Sequence, residues 1–311
     1  MSLRRFAALF ATAAAFVAVA APSAAADTRA APPVLAGLWA PLNRCPVDAA
    51  AMRAADGISV SSSCVSSSAA TGSIKLGGTT ITTGATDLQL GLINTDGVYT
   101  TVAPPAGAIV GAPVDVPGGV LGLICPSKIP VISDICRQVV NSPLNRITAT
   151  IESAGTPTGF DLGAGVSTGT PILTLPVKIR LSNPFLEPNC YIGSNSNPIL
   201  LKPANLTRPT AALVGFNADG TPNPAGEMGY LSLRGANQGD STFAVPGASG
   251  CGLFGLLSGA VNLKQGLPSP AGKNSLVLNN ATTNVGGFQT PFDFAPTQGR
   301  QLADRWHAAV R

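Results

Sequence analysis

The sequence predicts an all-β, mainly antiparallel protein: a β-sandwich with loop insertions, one or two short helices and three disulfides. Three observations carry this. Short β-favouring runs are punctuated by Gly, Pro and Asn, in a chain that holds 35 Gly and 27 Pro. Val177, Ile179 and Leu181 alternate with Lys178, Arg180 and Ser182. A period of two buries one face of a strand and wets the other. All six Cys follow an export-type leader, and an even number in an exported chain reads as paired.

The leader has a basic start, Arg4-Arg5, then an uncharged apolar run, Phe6 to Ala21, then Ala24-Ala25-Ala26. That order predicts a signal peptide over 1–26, cleaved before Asp27. The run falls short of the ~20 apolar residues of a membrane span. Phe6 follows the arginine pair directly, which favours the general secretory route over the twin-arginine one. With no Cys near the cleavage point and no apolar run at the end of the chain, release to the exterior is expected. Residues 27–36 are expected to be a flexible arm. A single β-rich domain is expected over 37–284, and a tail with a short helix over 285–311. Charged residues make up only 11% of the chain. There is no basic stripe with interleaved aromatics, so nucleic acid is not the expected partner.

The elements follow in order. Cys45 to Cys64 leads into a serine run, Ser61 to Ser68, read as a stapled edge strand or loop. Ile74, Leu76 and Ile81 form a hairpin about Gly77-Gly78. Leu88, Leu90 and Leu92 alternate as a strand, and Thr95-Asp96-Gly97 turns it back into Val98 to Val102. Spacings near three and four suggest a short helix over Ile132 to Val140. Ile147 to Ile151 is a strand, and Ile172 to Leu181 a long one with a bulge at Pro176. The latter breaks at Asn183-Pro184, passes Cys190-Tyr191, turns at Asn195 to Pro198 and returns over Ile199 to Leu201. Ala211 to Phe216 pairs with Met228 to Leu233. Thr242 to Val245 and Leu276 to Leu278 are further strands. Cys251 to Leu263 is read as a buried connection over the sheet. Leu302, Trp306 and Val310 mark one face of a terminal helix.

Six cysteines allow 15 pairings. Proximity suggests Cys45–Cys64, Cys125–Cys136 and Cys190–Cys251, because short loops close most readily.

Catalytic groupings are sparse. The one His, His307, excludes zinc sites built on histidine pairs, and paired cysteines cannot substitute. Gly165-Val166-Ser167-Thr168-Gly169 fits a nucleophile motif, with His307 downstream, but the motif needs a strand turning sharply into a helix. Here Pro171 and a β run follow, so Ser167 reads as part of a glycine-rich loop. Asn217 and Asp219 resemble part of a calcium loop, yet Gly215 and Gly226 stand where ligands are required. A hairpin turn is the better reading. Glu152, Glu187 and Glu227 form no pair in sequence of the kind glycoside hydrolysis uses. Tyr99, Tyr191 and Tyr230 could stack on sugars, but each fits equally as a half-buried strand residue. No cofactor, metal or catalytic residue is expected.

Several motifs resemble those of a family of exported proteins from high-GC Gram-positive bacteria. They are Asn183-Pro184-Phe185-Leu186, Cys190-Tyr191-Ile192-Gly193-Ser194 and Asn197-Pro198-Ile199. Phe243-Ala244-Val245-Pro246-Gly247-Ala248 with Gly250-Cys251-Gly252 is similar to them too. So is Asn262-Leu263-Lys264 with Gly266 to Gly272 and Asn274. The resemblance covers Leu173 to Asn284. It implies no assigned activity, and it implies the pairing of Cys190 with Cys251. The expected function is a secreted, non-catalytic extracellular module, structural or binding, whose partner is a component of the cell envelope. Alternatives are a secreted hydrolase using His307, Ser167 or carboxylates, and a secreted inhibitor or small-ligand carrier. An enclosed apolar cavity would favour the carrier.

Overall fold

The computed structural model describes residues 32–119, 145–184, 186, 188–289 and 296–311. The expected helix at Ile132 to Val140, the Cys125–Cys136 pairing and Glu187 lie outside the described residues.

In chain order the strands are β1 (Val60–Ala69), β2 (Thr71–Leu76), β3 (Thr79–Thr83), β4 (Thr86–Thr95), β5 (Val98–Val102), β6 (Ile109–Gly111), β7 (Val114–Asp115) and β8 (Thr148–Ser153). There follow β9 (Leu175–Ser182), β10 (Tyr191–Ile192), β11 (Ile199–Leu201), β12 (Ala204–Asn205), β13 (Thr210–Phe216), β14 (Met228–Asp240), β15 (Ala248–Ser249) and β16 (Ser275–Gln289). Helices α1 (Ala50–Arg53), α2 (Leu162–Val166), α3 (Ser258–Gln265) and α4 (Gln298–Ala308) complete the described elements used below.

The strands join into one antiparallel sheet, not the two facing sheets of a sandwich. Its order runs β14–β16–β1–β4–β6–β8–β9. The segment holding β11 and β12 then closes it. Ile199 to Leu201 pairs with β9, and Ala204-Asn205 pairs with β14. Between them Pro203 accepts a bond from the Ile172 amide, and the Lys202 amide donates to Asp240 Oδ2 at 2.6 Å. The result is a closed wall of eight strand positions round an apolar interior. Past Ala70 the wall continues as β2 and β3, with β2 on the first half of β16.

Local chemistry sets these elements. In β9, Leu175, Val177, Ile179 and Leu181 are buried while the residues between them are not, as the alternation predicts. Asp96 and Gly97 both take positive φ, 50° and 83°. That is the backbone of a tight turn that follows the right-handed twist of β4 and β5. The hairpins β2–β3, β4–β5 and β13–β14 all form as expected.

The serine run differs from expectation. As β1 it is a central strand, paired with both β4 and β16, not an edge. Serine suits the place because α4 lies over it. Gln298 accepts from the Ser62 amide and hydroxyl and donates to the Ser62 carbonyl. Cys64 stands opposite Gly91 on one side and Gly286 on the other. A side chain at Gly91 would collide with the Met52 sulfur.

Two cores result, one inside the wall and one outside it. The inner core includes Leu90, Val177, Ile199 and Val285. The outer core lies beneath the first and last described segments and includes Trp39, Leu42, Met52, Phe216 and Trp306. Trp306 donates to the Leu42 carbonyl at 2.8 Å, and the Trp39 and Phe216 rings meet edge to face at 5.2 Å. The arm is tied as well: Ala36 donates to the Ala309 carbonyl, and Arg311 to that of Val34. β16 runs through Asn284, and α4 packs its Leu302 and Trp306 into the outer core.

Two expected elements are corrected. Thr242 to Val245 makes only an isolated bridge, Val245 to Ser269, because buried Asn274 takes the Phe243 carbonyl. Cys251 to Leu263 is not a buried connection: Cys251, Gly252 and Val261 are buried, but Leu253, Phe254, Leu256 and Leu263 are exposed.

Two expected disulfides are formed, Cys45–Cys64 and Cys190–Cys251, spanning 19 and 61 residues. Loop entropy makes the longer one the stronger constraint. Replacing both cysteines by Ala is expected to lower stability by about 4 kcal/mol at Cys190–Cys251 and about 3 at Cys45–Cys64. The two urea midpoints, read in parallel, check the order.

Candidate functional site

The inward rows of the wall leave an apolar cavity of about 90 Å³. Leu175 and Ile179 of β9, Ile74 of β2, Ile81 of β3, Ile109 of β6 and Ile151 of β8 form its body. Small residues make the space. Ala149 and Ala281 are buried in the wall beside it, where a larger side chain would fill it. Exposed Ala112 and half-buried Gly84, Thr86 and Val114 lie on one flank, where the lining meets solvent.

Two smaller spaces adjoin it. One of about 30 Å³ shares Ile81 and Ile179 and is finished by Val261, Lys264 and Gln265 of α3. One of about 10 Å³ shares Gln238 and Ala281. Gln238 is already committed, donating to Asn205 Oδ1, and Asn205 in turn donates to the Gly165 and Ser167 carbonyls. Thr83 is different: its hydroxyl oxygen is buried on the lining with no hydrogen-bond partner. A buried hydroxyl left unpaired is unfavourable unless something supplies a partner.

A second concavity, about 780 Å³, is a wide open groove between the β4–β5 turn and α2. Tyr99 and Phe160 pack edge to face at 5.3 Å on its floor. Its one carboxylate, Asp161, caps α2 by accepting from the Ala164 amide at 3.0 Å.

The candidate catalytic residues do not converge. Ser167 follows α2 instead of preceding a helix, and its hydroxyl donates to the Ala164 carbonyl. His307 sits on α4, half exposed, with its Nε2 2.9 Å from Asp48 Oδ1. Glu152 pairs with Arg180 at 3.1 Å, and Glu227 with Arg305 at 3.2 Å. Asp219 lies in the β13–β14 hairpin loop. Its carboxyl is held below the usual range by bonds from the Thr221 hydroxyl and amide. Asn217 spends its side-chain oxygen on Asn223. Among the described residues no group of three or more His, Cys, Asp or Glu is placed to hold a metal. Tyr191 lies under the Lys178 ammonium, 4.7 Å from the ring centre, and Tyr230 is buried against Phe216.

The lining residues were not singled out in the sequence. The signal that could find them is small residues at inward strand positions: Ala69, Gly111, Ala149 and Ala281. No described helix is long and apolar enough to cross a membrane. No protein family, curated protein or solved structure matches the chain.

A serine whose hydroxyl is bonded to its own helix carbonyl, with no base bonded to it among the described residues, is not an activated nucleophile. Incubation with a fluorophosphonate is expected to leave Ser167 unmodified. Intact-protein mass spectrometry checks this, and a single phosphonyl adduct on Ser167 would restore the hydrolase reading.

Proposed function

We propose that this chain is an exported, non-catalytic binding module of the cell exterior whose closed sheet holds the hydrocarbon chain of an amphiphile. The observation that supports it is the Ile- and Leu-lined cavity within the closed sheet, which meets solvent on one flank. Closed sheets of about eight strands leave an interior that side chains fill or that one small ligand occupies. Here the alanines and glycines leave part of it unfilled. Export and an envelope setting belong to the same reading. They rest on the leader, the paired cysteines and the likeness to exported proteins of high-GC Gram-positive bacteria.

Size narrows the ligand. Drug-sized pockets span roughly 300–1,000 Å³, and an engineered cavity of about 150 Å³ takes benzene. At about 90 Å³, the space suits the end of a flexible hydrocarbon chain better than a rigid ring. The unpaired Thr83 hydroxyl gives it one polar contact, so the ligand is an amphiphile with one hydrogen-bonding group near its chain.

The test is titration with dansyl-undecanoic acid, whose fluorescence rises in apolar surroundings. Saturable enhancement with one site per chain is expected. Ala149→Leu, which fills the space, should weaken it about four- to fifteenfold, the effect of losing one or two buried methylenes. Thr83→Val should weaken it several-fold. No enhancement, or equal binding by the wild type and Ala149→Leu with unchanged circular dichroism, would overturn the reading.

A further inference from the structure

The corner between Cys251 and Lys264 carries an exposed apolar surface. Leu253, Phe254, Leu256 and Leu263 are 74%, 92%, 77% and 87% exposed. Single exposed apolar residues are ordinary on a protein surface, whereas a contiguous group calls for a reason. These four fall within eleven residues. Leu256, Gly259 and Leu263, spaced i, i+3 and i+7, share the outward face of α3 and the turn that leads into it, while Val261 on the opposite face is buried. Phe254 holds a φ of 55°, a region bulky residues rarely occupy and one that turns up at functional positions.

The base of this tip is fixed. Cys251 is bonded to Cys190, its carbonyl accepts from the Leu257 amide, and its amide donates to the Ser258 hydroxyl. The apolar residues therefore project from a braced support. Not one charged residue stands between Asp240 and Lys264, so entering an apolar phase would strip water from no charge there.

Cations gather behind the tip. Lys264 is exposed near the end of α3. The Gly78 amide donates to the Gln265 carbonyl and the Gly77 amide to Asn274 Oδ1. Those bonds bring the exposed Lys75 and Lys273 to the same end of the helix. Among the described residues none of the three lysines pairs with a carboxylate. An uncharged apolar tip backed by unpaired cations complements an anionic lipid surface, with acyl chains beneath and negative headgroups at the rim.

We propose that Leu253, Phe254, Leu256 and Leu263 insert into an anionic bilayer surface while Lys75, Lys264 and Lys273 rest on its headgroups. The inner side of the same helix supports a lipid over a protein partner. Val261, Lys264 and Gln265 finish the small space that shares Ile81 and Ile179 with the main cavity. α3 thus stands between the docking tip and the apolar interior. The docking surface does not depend on the cavity being filled.

The experiment is co-sedimentation of the disulfide-intact chain with vesicles of phosphatidylcholine, with and without phosphatidylglycerol. The wild type is expected to bind the mixed vesicles. Phe254→Ser should reduce partitioning about tenfold or more, since one large apolar side chain no longer enters the bilayer. Lys264→Gln with Lys273→Gln should reduce it several-fold on mixed vesicles and leave binding to neutral ones unchanged. Leu213→Ser, at an 85% exposed residue of β13, should partition as the wild type does. Ala149→Leu should too, so failure of the cavity reading and failure of the docking reading show in different assays. No vesicle binding, or equal binding by Phe254→Ser, would overturn the proposal. So would concentration-dependent self-association that Phe254→Ser abolishes in the absence of lipid, which would assign the tip to a second copy of the chain.

Discussion

The Ile199–Asn205 segment pairs with β9 on one side and β14 on the other, and this double pairing holds the sheet shut. Without it β9 and β14 would each present a row of unpaired amides and carbonyls, a template for association. Closure also fixes which way every side chain points. Once the wall is a ring, the period of two divides all its residues into inside and outside. Pro203 fits because the place asks nothing of its missing N–H: its carbonyl takes the Ile172 amide, and the neighbouring Lys202 amide finds Asp240. Asp240 itself also accepts from Thr242, so one buried carboxylate ties the segment to the turn that follows β14.

Outside the ring, the first and last described segments do the covering. Serines on β1 are small enough for α4 to approach, and Gln298 replaces the water their backbone would otherwise bind. Arg44 fastens the N-terminal turn to the wall. Its guanidinium meets Asp87 at 2.8 Å and also donates to the Gly107 and Ala108 carbonyls. With its side chain only 9% exposed, the charge is tolerable because each guanidinium nitrogen has an oxygen to donate to, which is the condition for burying an ion. The Cys45–Cys64 bond holds this turn beside Met52 and Trp39, which fill the outer core with Trp306.

What the sequence made legible was what depends on neighbours along the chain. The alternation in β9, the Asp96-Gly97 turn and the Cys45–Cys64 bond are local, and they form as read. Apart from the Cys190–Cys251 pair, most of what depends on distant partners was not legible. Ser61 to Ser68 reads as a stapled edge strand or loop until α4 lies over it and β4 and β16 pair with it. Nothing near Ile199 signals that it closes a ring. The apolar stretch from Cys251 to Leu263 carries no outward polar residues to announce exposure, so hydrophobicity pointed to the core while the structure turns it to solvent. Ser167 shows the reverse case. Its flanking glycines matched a motif, but the motif's meaning is a strand entering a helix, and here the helix comes first.

An unfilled space inside a closed wall has an energetic consequence. Empty volume destabilises by about 24 cal/mol per Å³ in the lysozyme series, so about 90 Å³ corresponds to about 2 kcal/mol. A loose core would collapse into such a space, because dispersion contacts are regained when walls move in. This wall is poorly able to move. Each of the eight positions of the ring is hydrogen-bonded on both sides, although the β3 hairpin strand is paired on one side only, and disulfides brace the wall at Cys64 and, beside β10 and β15, at Cys190–Cys251. The constraint of either bridge exceeds the deficit of the space. A rigid ring thereby keeps open a volume that its own side chains, alanine and glycine at the critical inward positions, decline to fill. The same bracing reaches α3 through Cys251, so the outward-facing leucines and Phe254 are held away from the core that would otherwise absorb them. Stapling therefore serves two ends in one region: it preserves an apolar space within the wall and presents an apolar surface outside it.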